Sequence, residues 1–470
     1  MVIRRGIGTI LSFVGLLYLT RIVGPGAYGL FTSVFGLVGY LQMLVQMGLG
    51  VYLIRSPLDT PREHFHQVFW WLLVSSLFAT LIGIALFILV GQFWVRQEGF
   101  VPVAVAMGLL LPIMVLPTVP LALLERDLDY RRVSWIEIGS QVAYYAVGIG
   151  MAWTGWGAWA LVSAFAVSQL VLLAGFYGIT RYRPRWYWNS ELLRDMLHYS
   201  FTQGLSGWLY NLRTVAPSLI LLPIAGKEAV GYYNLAYRFV TVLNFASEAL
   251  GRITYPAFAR IQHDLPKLCR AVNEGMYLRL LATGIFYAGF ASIAWIALPW
   301  MLGAKWNIQI LLWVFSLLAV PMLVGAIVGI QASALHVICR NGVVALSNLF
   351  YIIFYFAFSW VLVYWLASGL KVHGFALASW FAIIPNFIIL HLGFSRFIGS
   401  PSYLLASLWL VGFSLILLVP VVSGWLAVLA LPFLVNPLSF RTVRQLISQI
   451  RALRQSTPTP VEAFQSDLTP

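Results

Sequence analysis

Two arginines, Arg213 and Arg238, stand several residues inside apolar stretches of this 470-residue chain. A charge at such depth costs about 2.5–3.5 kcal/mol on insertion scales, and it marks a functional position by default. Helical spacing places Gln203, Ser206, Tyr210, Arg213 and Thr214 on one face. A second face carries Asn234, Arg238, Thr241, Glu248 and Arg252, and a third Thr32, Gln42 and Gln46. The chemistry on offer is anion binding. Guanidinium stays charged at every working pH and donates in a planar fork that matches phosphate. Tyr210, Gln203, Asn234, Asn244, Gln42 and Gln46 add the neutral donors and ring faces that suit a sugar. Within the same stretches the acids are only Glu137 and Glu248, against Arg21, Arg213, Arg238, Arg252 and Arg279. Glu248 admits two readings, a proton carrier or an ion pair with Arg252 four residues on. Arg252 and Arg279 read as snorkelling near span ends.

The elements that must hold these groups are membrane helices. Apolar residues make up 61% of the chain and charged residues 9%, which excludes an ordinary soluble domain. Runs of the roughly 20 residues needed to cross a bilayer recur. They fall at about 6–24, 27–54, 68–90, 101–124, 135–154, 157–180, 198–224, 229–255, 275–300, 308–332, 343–367, 372–394, 402–419 and 421–436. Pro420 interrupts the last pair, so thirteen spans compete with fourteen. The first run carries no small-residue cleavage site and reads as a retained span. Arg and Lys crowd alternate loops, and the opposite loops hold only Arg96, Lys227, Lys305 and Lys371. The positive-inside rule therefore places both termini in the cytoplasm. The net charge of +14 then faces anionic lipid headgroups, and no nucleic acid is needed to explain it. Cys269 and Cys339 fall in cytoplasmic loops, where no disulfide is expected.

Every loop is short and none contains a phosphate-binding glycine loop, so neither ATP hydrolysis nor any cofactor is expected. His64 and His66 lack a third metal ligand and read as a solvated turn. Asp127 and Asp129 are interleaved with Arg126, Arg131 and Arg132 and read as a self-paired loop. In the tail, Val443, Leu446, Ile447, Ile450 and Leu453 share a helical face flanked by arginines, which suits a helix on the inner leaflet; a disordered end follows.

"LTRIVGPGAYGLF" (19–31) is echoed by "LLPIAGKEAVGYY" (221–233). A shift of 202 lays Ile22, Gly24, Ala27, Gly29 and Val38 on Ile224, Gly226, Ala229, Gly231 and Val240, and it lays Thr32 on Asn234. An even number of spans separates the copies, so they share one orientation about an axis along the membrane normal. The expectation is an all-α polytopic fold: an N-lobe at 1–180, a linker at 181–197, a C-lobe at 198–394, two extra spans at 395–436 and a tail at 437–470. The polar stripes would line one cavity between the lobes.

These stretches, with "ERDLDYRRVSWIEIGSQ", "GWGAWALV", "AGKEAVGYYNLAYRFV" and "ITYPAFARIQHD", resemble the polysaccharide-transport (Wzx-type) branch of the MOP flippase superfamily over about 5–395. The resemblance implies a non-enzymatic carrier that moves undecaprenyl-diphosphate-linked oligosaccharide across a bacterial inner membrane by alternating access. It also implies polysaccharide polymerase and export proteins as partners. Arg21 matches the first corner motif of the family, where it would meet a departing diphosphate or simply snorkel. Gly226, Gly231, Tyr232, Tyr233 and Asn234 match the second. A drug or lipid II exporter is the alternative within the superfamily, and a membrane-embedded transferase or polymerase the alternative outside it. Cationic drugs would want acidic cavity residues, and a transferase would want longer loops.

Overall fold

The structure is a computed structural model. It describes residues 2–56, 61–422, 424–435, 437–441 and 444, without the side chains at 2–12, 199, 202–206 and 425. The amphipathic helix and the tail end expected beyond 444 lie outside the described residues. Among the described residues there is helix and no strand.

Helix occupies every stretch read as a span. Among the described residues, seven helices are long and apolar enough to cross a membrane, for example Ile308–Val337 and Asn341–Trp365, and a pair bent by 46° makes an eighth if it is one span. The others are interrupted, shorter or more polar. The stretch expected at 27–54 divides into Pro25–Gln46 and Leu49–Arg55, because Met47 (φ 48°) and Gly48 (φ 77°) are left-handed. The seventh stretch starts early, at Ser190, where the Asn189 side chain accepts from the backbone N–H of Glu191 and Leu192. It then loosens near Pro217, which has no N–H to give the carbonyl of Arg213. That carbonyl instead accepts from Ala216 in a 3₁₀ turn, Leu212–Val215, and a π turn, Pro217–Leu221, follows. Residues 404–418 and 425–434 form two short apolar helices.

The chain forms two compact units, one of 1–238, 295–315 and 348–382, the other of 239–294, 316–347 and 383–470. In the first unit, the buried surface is built from alternating large and small residues. Pro25–Gln46 buries Tyr28, Phe31, Val34 and Val38, and Ser33 and Gly36 let the loosened segment approach. The Ser218 hydroxyl donates to the Ser33 carbonyl at 2.6 Å, and a Cβ on Gly36 would lie 2.7 Å from the Thr214 carbonyl. Residues 181–189 are mostly exposed but tied by hydrogen bonds. Trp70 Nε1 donates to the Arg185 carbonyl at 2.9 Å, and Asn189 N–H donates to Gln67 Oε1 at 2.7 Å. His66 is buried, contrary to the solvated turn expected. Its Nδ1 accepts from the Arg185 N–H at 3.3 Å and bonds the Tyr182 hydroxyl at 2.9 Å. In the second unit, Arg279 donates to Ser247 and presses against Gly329, so it is spent on packing and is not simply snorkelling.

Candidate functional site

The repeated corner is a repeated backbone. Gly24 has φ 83°, ψ 171° and Gly226 has φ 84°, ψ 174°, a conformation open essentially only to glycine. Each glycine ends one helical segment and starts another, and the two copies pack on each other reciprocally. A Cβ on Gly29 would lie 1.8 Å from the Lys227 carbonyl, and one on Gly231 would lie 2.1 Å from the Pro25 carbonyl. Pro25 and Lys227 are themselves related by the shift of 202, so the two contacts are one contact made twice. One turn further, Asn234 Nδ2 donates to Thr32 Oγ1 at 2.9 Å. Those two residues also correspond under the shift. A side chain that bonds its own repeat equivalent lies on a local two-fold axis, as in an isologous interface.

The cations of this arginine-poor end close the corner. Lys305 donates to the Ile22 carbonyl and Lys371 to the Ile224 carbonyl at 3.2 Å, so equivalent helix ends each receive a lysine. Arg21 donates to the Trp300 carbonyl at 3.0 Å and lies against Gly303, at the end of Leu265–Leu302. Its charge thus serves a helix terminus, a use weaker in ligand implication than the exit-site reading. Buried Trp306 fills the angle between Tyr28 and Tyr232 and donates from Nε1 to the Thr20 carbonyl at 3.0 Å.

Arg213 sits in the 3₁₀ turn, inside a cluster of tyrosines. Its Nη1 donates to the Tyr210 hydroxyl at 2.6 Å, and its guanidinium carbon stands 3.9 Å from the centre of that ring. Tyr351 stands beside Tyr210, with ring centroids 6.2 Å apart, and acts on Arg213 electrostatically. Tyr351 stacks on Tyr355, whose hydroxyl meets that of Tyr233 at 2.9 Å, and Tyr233 stacks on Tyr237. Nε of Arg213 is buried without a partner, and no carboxylate pairs with the guanidinium among the described residues. Arg238, whose side chain is exposed, acts electrostatically on the hydroxyls of Tyr28 and Tyr144.

The remaining expected site residues disperse. Gln42 Nε2 donates to the Met114 carbonyl at 3.3 Å and Gln46 Nε2 to Thr118 Oγ1 at 3.0 Å, so both amides serve packing within the N-terminal half. Asn244 lies at the break between Leu222–Leu243 and Phe245–Arg260. Glu248 is exposed in the first turn of the second of these helices, where the helix N-terminus favours a carboxylate, and it makes no ion pair with Arg252. The side chain of Gln203 lies outside the described residues. Of the loop acids, Asp129 behaves as expected: it caps Tyr130–Trp153 and pairs with Arg132 at 3.2 Å. Sequence reasoning missed Tyr233, Tyr237, Tyr351, Tyr355 and Trp306 as partners. The i, i+4 spacing of the tyrosine pairs was the available signal.

A family described as "Polysaccharide biosynthesis protein" matches residues 18–311, more than half of the chain. The chain belongs to that family. Among curated relatives of this chain is the succinoglycan biosynthesis transport protein ExoT of Rhizobium meliloti (strain 1021). It is 24% identical over 309 residues, 63% of this chain and 60% of the relative. The lipopolysaccharide biosynthesis protein WzxC of Escherichia coli (strain K12) is 25% identical over 310 residues, 63% of this chain and 61% of its own. The teichuronic acid biosynthesis protein TuaB of Bacillus subtilis (strain 168) is 26% identical over 330 residues, 66% and 62%. The match thus spans about three fifths of these relatives. The fold of this family member is that of the lipid II flippase MurJ in an inward closed conformation. The TM-score is 0.71, at 14% identity, covering 96% of this chain and 98% of that one. An inward-facing multidrug resistance MATE transporter of the MOP superfamily follows with TM-score 0.64, 16% identity, and coverage of 84% and 96%. This multi-pass membrane protein therefore has the MOP fold.

Proposed function

We propose that this protein is a flippase that carries an undecaprenyl-diphosphate-linked oligosaccharide repeat unit across the bacterial inner membrane, for surface polysaccharide assembly. Both termini are cytoplasmic, the chain crosses about fourteen times, and lobes 1–180 and 198–394 alternate access about the pseudo-two-fold axis. The observation that carries this reading is Arg213: a guanidinium with a buried, unpartnered Nε, no paired carboxylate, and tyrosines around it. A half-buried charge whose Nε is out of water and which has no counter-charge favours an anionic guest, and a diphosphate supplies the matching bidentate acceptor. The tyrosine faces suit the apolar faces of sugar rings. The corner at Gly29 and Gly231 then closes the outer mouth, and release requires its two halves to part. Glu248, free of Arg252, is the acid we assign to ion coupling.

The test is a leaflet-access assay in proteoliposomes with a lipid-diphosphate oligosaccharide, comparing intact protein with R213Q and R213K. The reading expects flipping by intact protein, partial flipping by R213K and none by R213Q at equal protein incorporation. Equal rates in all three would make Arg213 structural and remove the site.

A further inference from the structure

In the second unit, a pocket of about 440 Å³ opens where five helix ends meet. Gln262 and His263 come from the turn after Phe245–Arg260, and Leu265 starts the helix Leu265–Leu302. Cys339 and Arg340 form the turn between Ile308–Val337 and Asn341–Trp365, and Phe397 ends Lys371–Phe397. The start of Asn341–Trp365 and the end of Lys371–Phe397 lie within three residues of the spans expected at 343–367 and 372–394, which puts Arg340 and Phe397 near headgroup depth.

Its charge is one-signed. The Arg340 guanidinium lies over the Phe397 ring at 4.3 Å, and Arg396 lies over the same ring at 5.6 Å. Lying on a ring face leaves the edge of the Arg340 fork open to an oxygen acceptor. The nearby acid, Asp264, is not among the lining residues; it caps the start of Leu265–Leu302, its side chain accepting from the Lys267 N–H at 3.0 Å. The first turn of Asn341–Trp365 also borders the pocket and favours an anion. Left-handed Cys339 (φ 60°) makes the sharp bend that presents Arg340. The remaining wall is mixed, with Leu265, Val337, Ile338 and Phe397 as its apolar part and Gln262 as a polar one.

We propose that this pocket binds the phosphodiester headgroup of an anionic phospholipid, with Arg340 and His263 on the phosphate and Leu265 and Phe397 against the first carbons of the chains. A basic recess between span ends is the arrangement that holds anionic headgroups. The apolar part of the wall favours a lipid over a free phosphate ester. The proposal is independent of the flippase reading and of Arg213.

Cys269→Ser leaves Cys339, which lines the pocket, as the only thiol. Its alkylation by an uncharged maleimide is followed in nanodiscs of phosphatidylcholine alone and with phosphatidylglycerol. At about 1 kcal/mol per basic contact, occupancy should slow the reaction about fivefold or more in phosphatidylglycerol. R340Q should abolish that difference, while R270Q, which removes the same charge outside the pocket, should keep it. Equal slowing in R340Q and R270Q would mean surface potential alone and overturn the proposal. Protection by inorganic phosphate in phosphatidylcholine discs would assign the pocket to a free phosphate ester and overturn the lipid assignment. No protection in either lipid would leave no bound headgroup and refute it.

Discussion

Replacing Gly29 by alanine tests the reciprocal corner most directly. The added Cβ would stand 1.8 Å from the Lys227 carbonyl and 2.6 Å from the Gly231 nitrogen. Both are backbone atoms and cannot rotate away. Carbon contacts begin at about 3.5 Å, so the two segments must part by about 1.5 Å. Overpacking of this kind costs about 1–3 kcal/mol, a shift of roughly five- to 150-fold in the population of the closed corner at 1.4 kcal/mol per tenfold. G231A meets the mirror-image clash, 2.1 Å from the Pro25 carbonyl, and should behave alike. Gly39 lies on the same helix with nothing within 4 Å of its would-be Cβ, so G39A is the control. The assay uses T32C/N234C in protein lacking its native cysteines (C269S/C339S), cross-linked by a short bifunctional thiol reagent across the axis. The expected outcome is cross-linking at least about fivefold slower in G29A and G231A than in G39A, as that free-energy shift requires. Equal rates in all three would show that this contact does not set the closed state, and the argument from reciprocal packing would fail.

At Arg213, loss of a hydrogen bond to a charged group is worth about 1.5–3 kcal/mol. R213Q should therefore weaken protection by a lipid-diphosphate ligand in a thermal-shift titration by about tenfold or more, whereas Y351F should have a smaller effect. For His66, which precedes the apolar run at 68–90, burial lowers the pKa, with help from Arg185 and Arg62 and opposition from Glu63. The folded state then refuses a proton that the unfolded chain accepts, so stability present above about pH 6.5 is lost as pH falls toward the lowered value. Melting curves in detergent should drop between pH 7.5 and pH 5.5, and H66Q should flatten that slope; an unchanged slope would refute the role of His66. Lys371→Met uncaps the Ile224 carbonyl and should cost about 0.3–1 kcal/mol, read as a lowered midpoint in the same melts. E248Q should abolish acceleration of flipping by an imposed proton gradient and lower stability by no more than the roughly 0.3–1 kcal/mol of its helix-terminus contribution.

What was legible in the sequence is whatever depends on local pattern and composition. Apolar length and arginine spacing placed the helices, because the bilayer demands both regardless of packing. The shift of 202 placed Gly24 on Gly226 and Thr32 on Asn234, because a repeated backbone needs the same permissive residue at each copy. Arg213 was visible from its depth alone. The fate of each polar side chain was not visible, since helical periodicity reports a face and says nothing about what stands opposite. Gln42 and Gln46 lie on the expected stripe, yet they bond Met114 and Thr118 about seventy residues away. Glu248 and Arg252 have the right spacing within Phe245–Arg260 and do not pair, and Glu248 is exposed in the first turn. The tyrosines around Arg213 come from two distant stretches, 210–237 and 351–355, which only the folded chain brings together. Sequence determined which groups had to leave water. Tertiary structure decided which partner each of them found there, because a buried donor is satisfied by whatever neighbour the packing supplies.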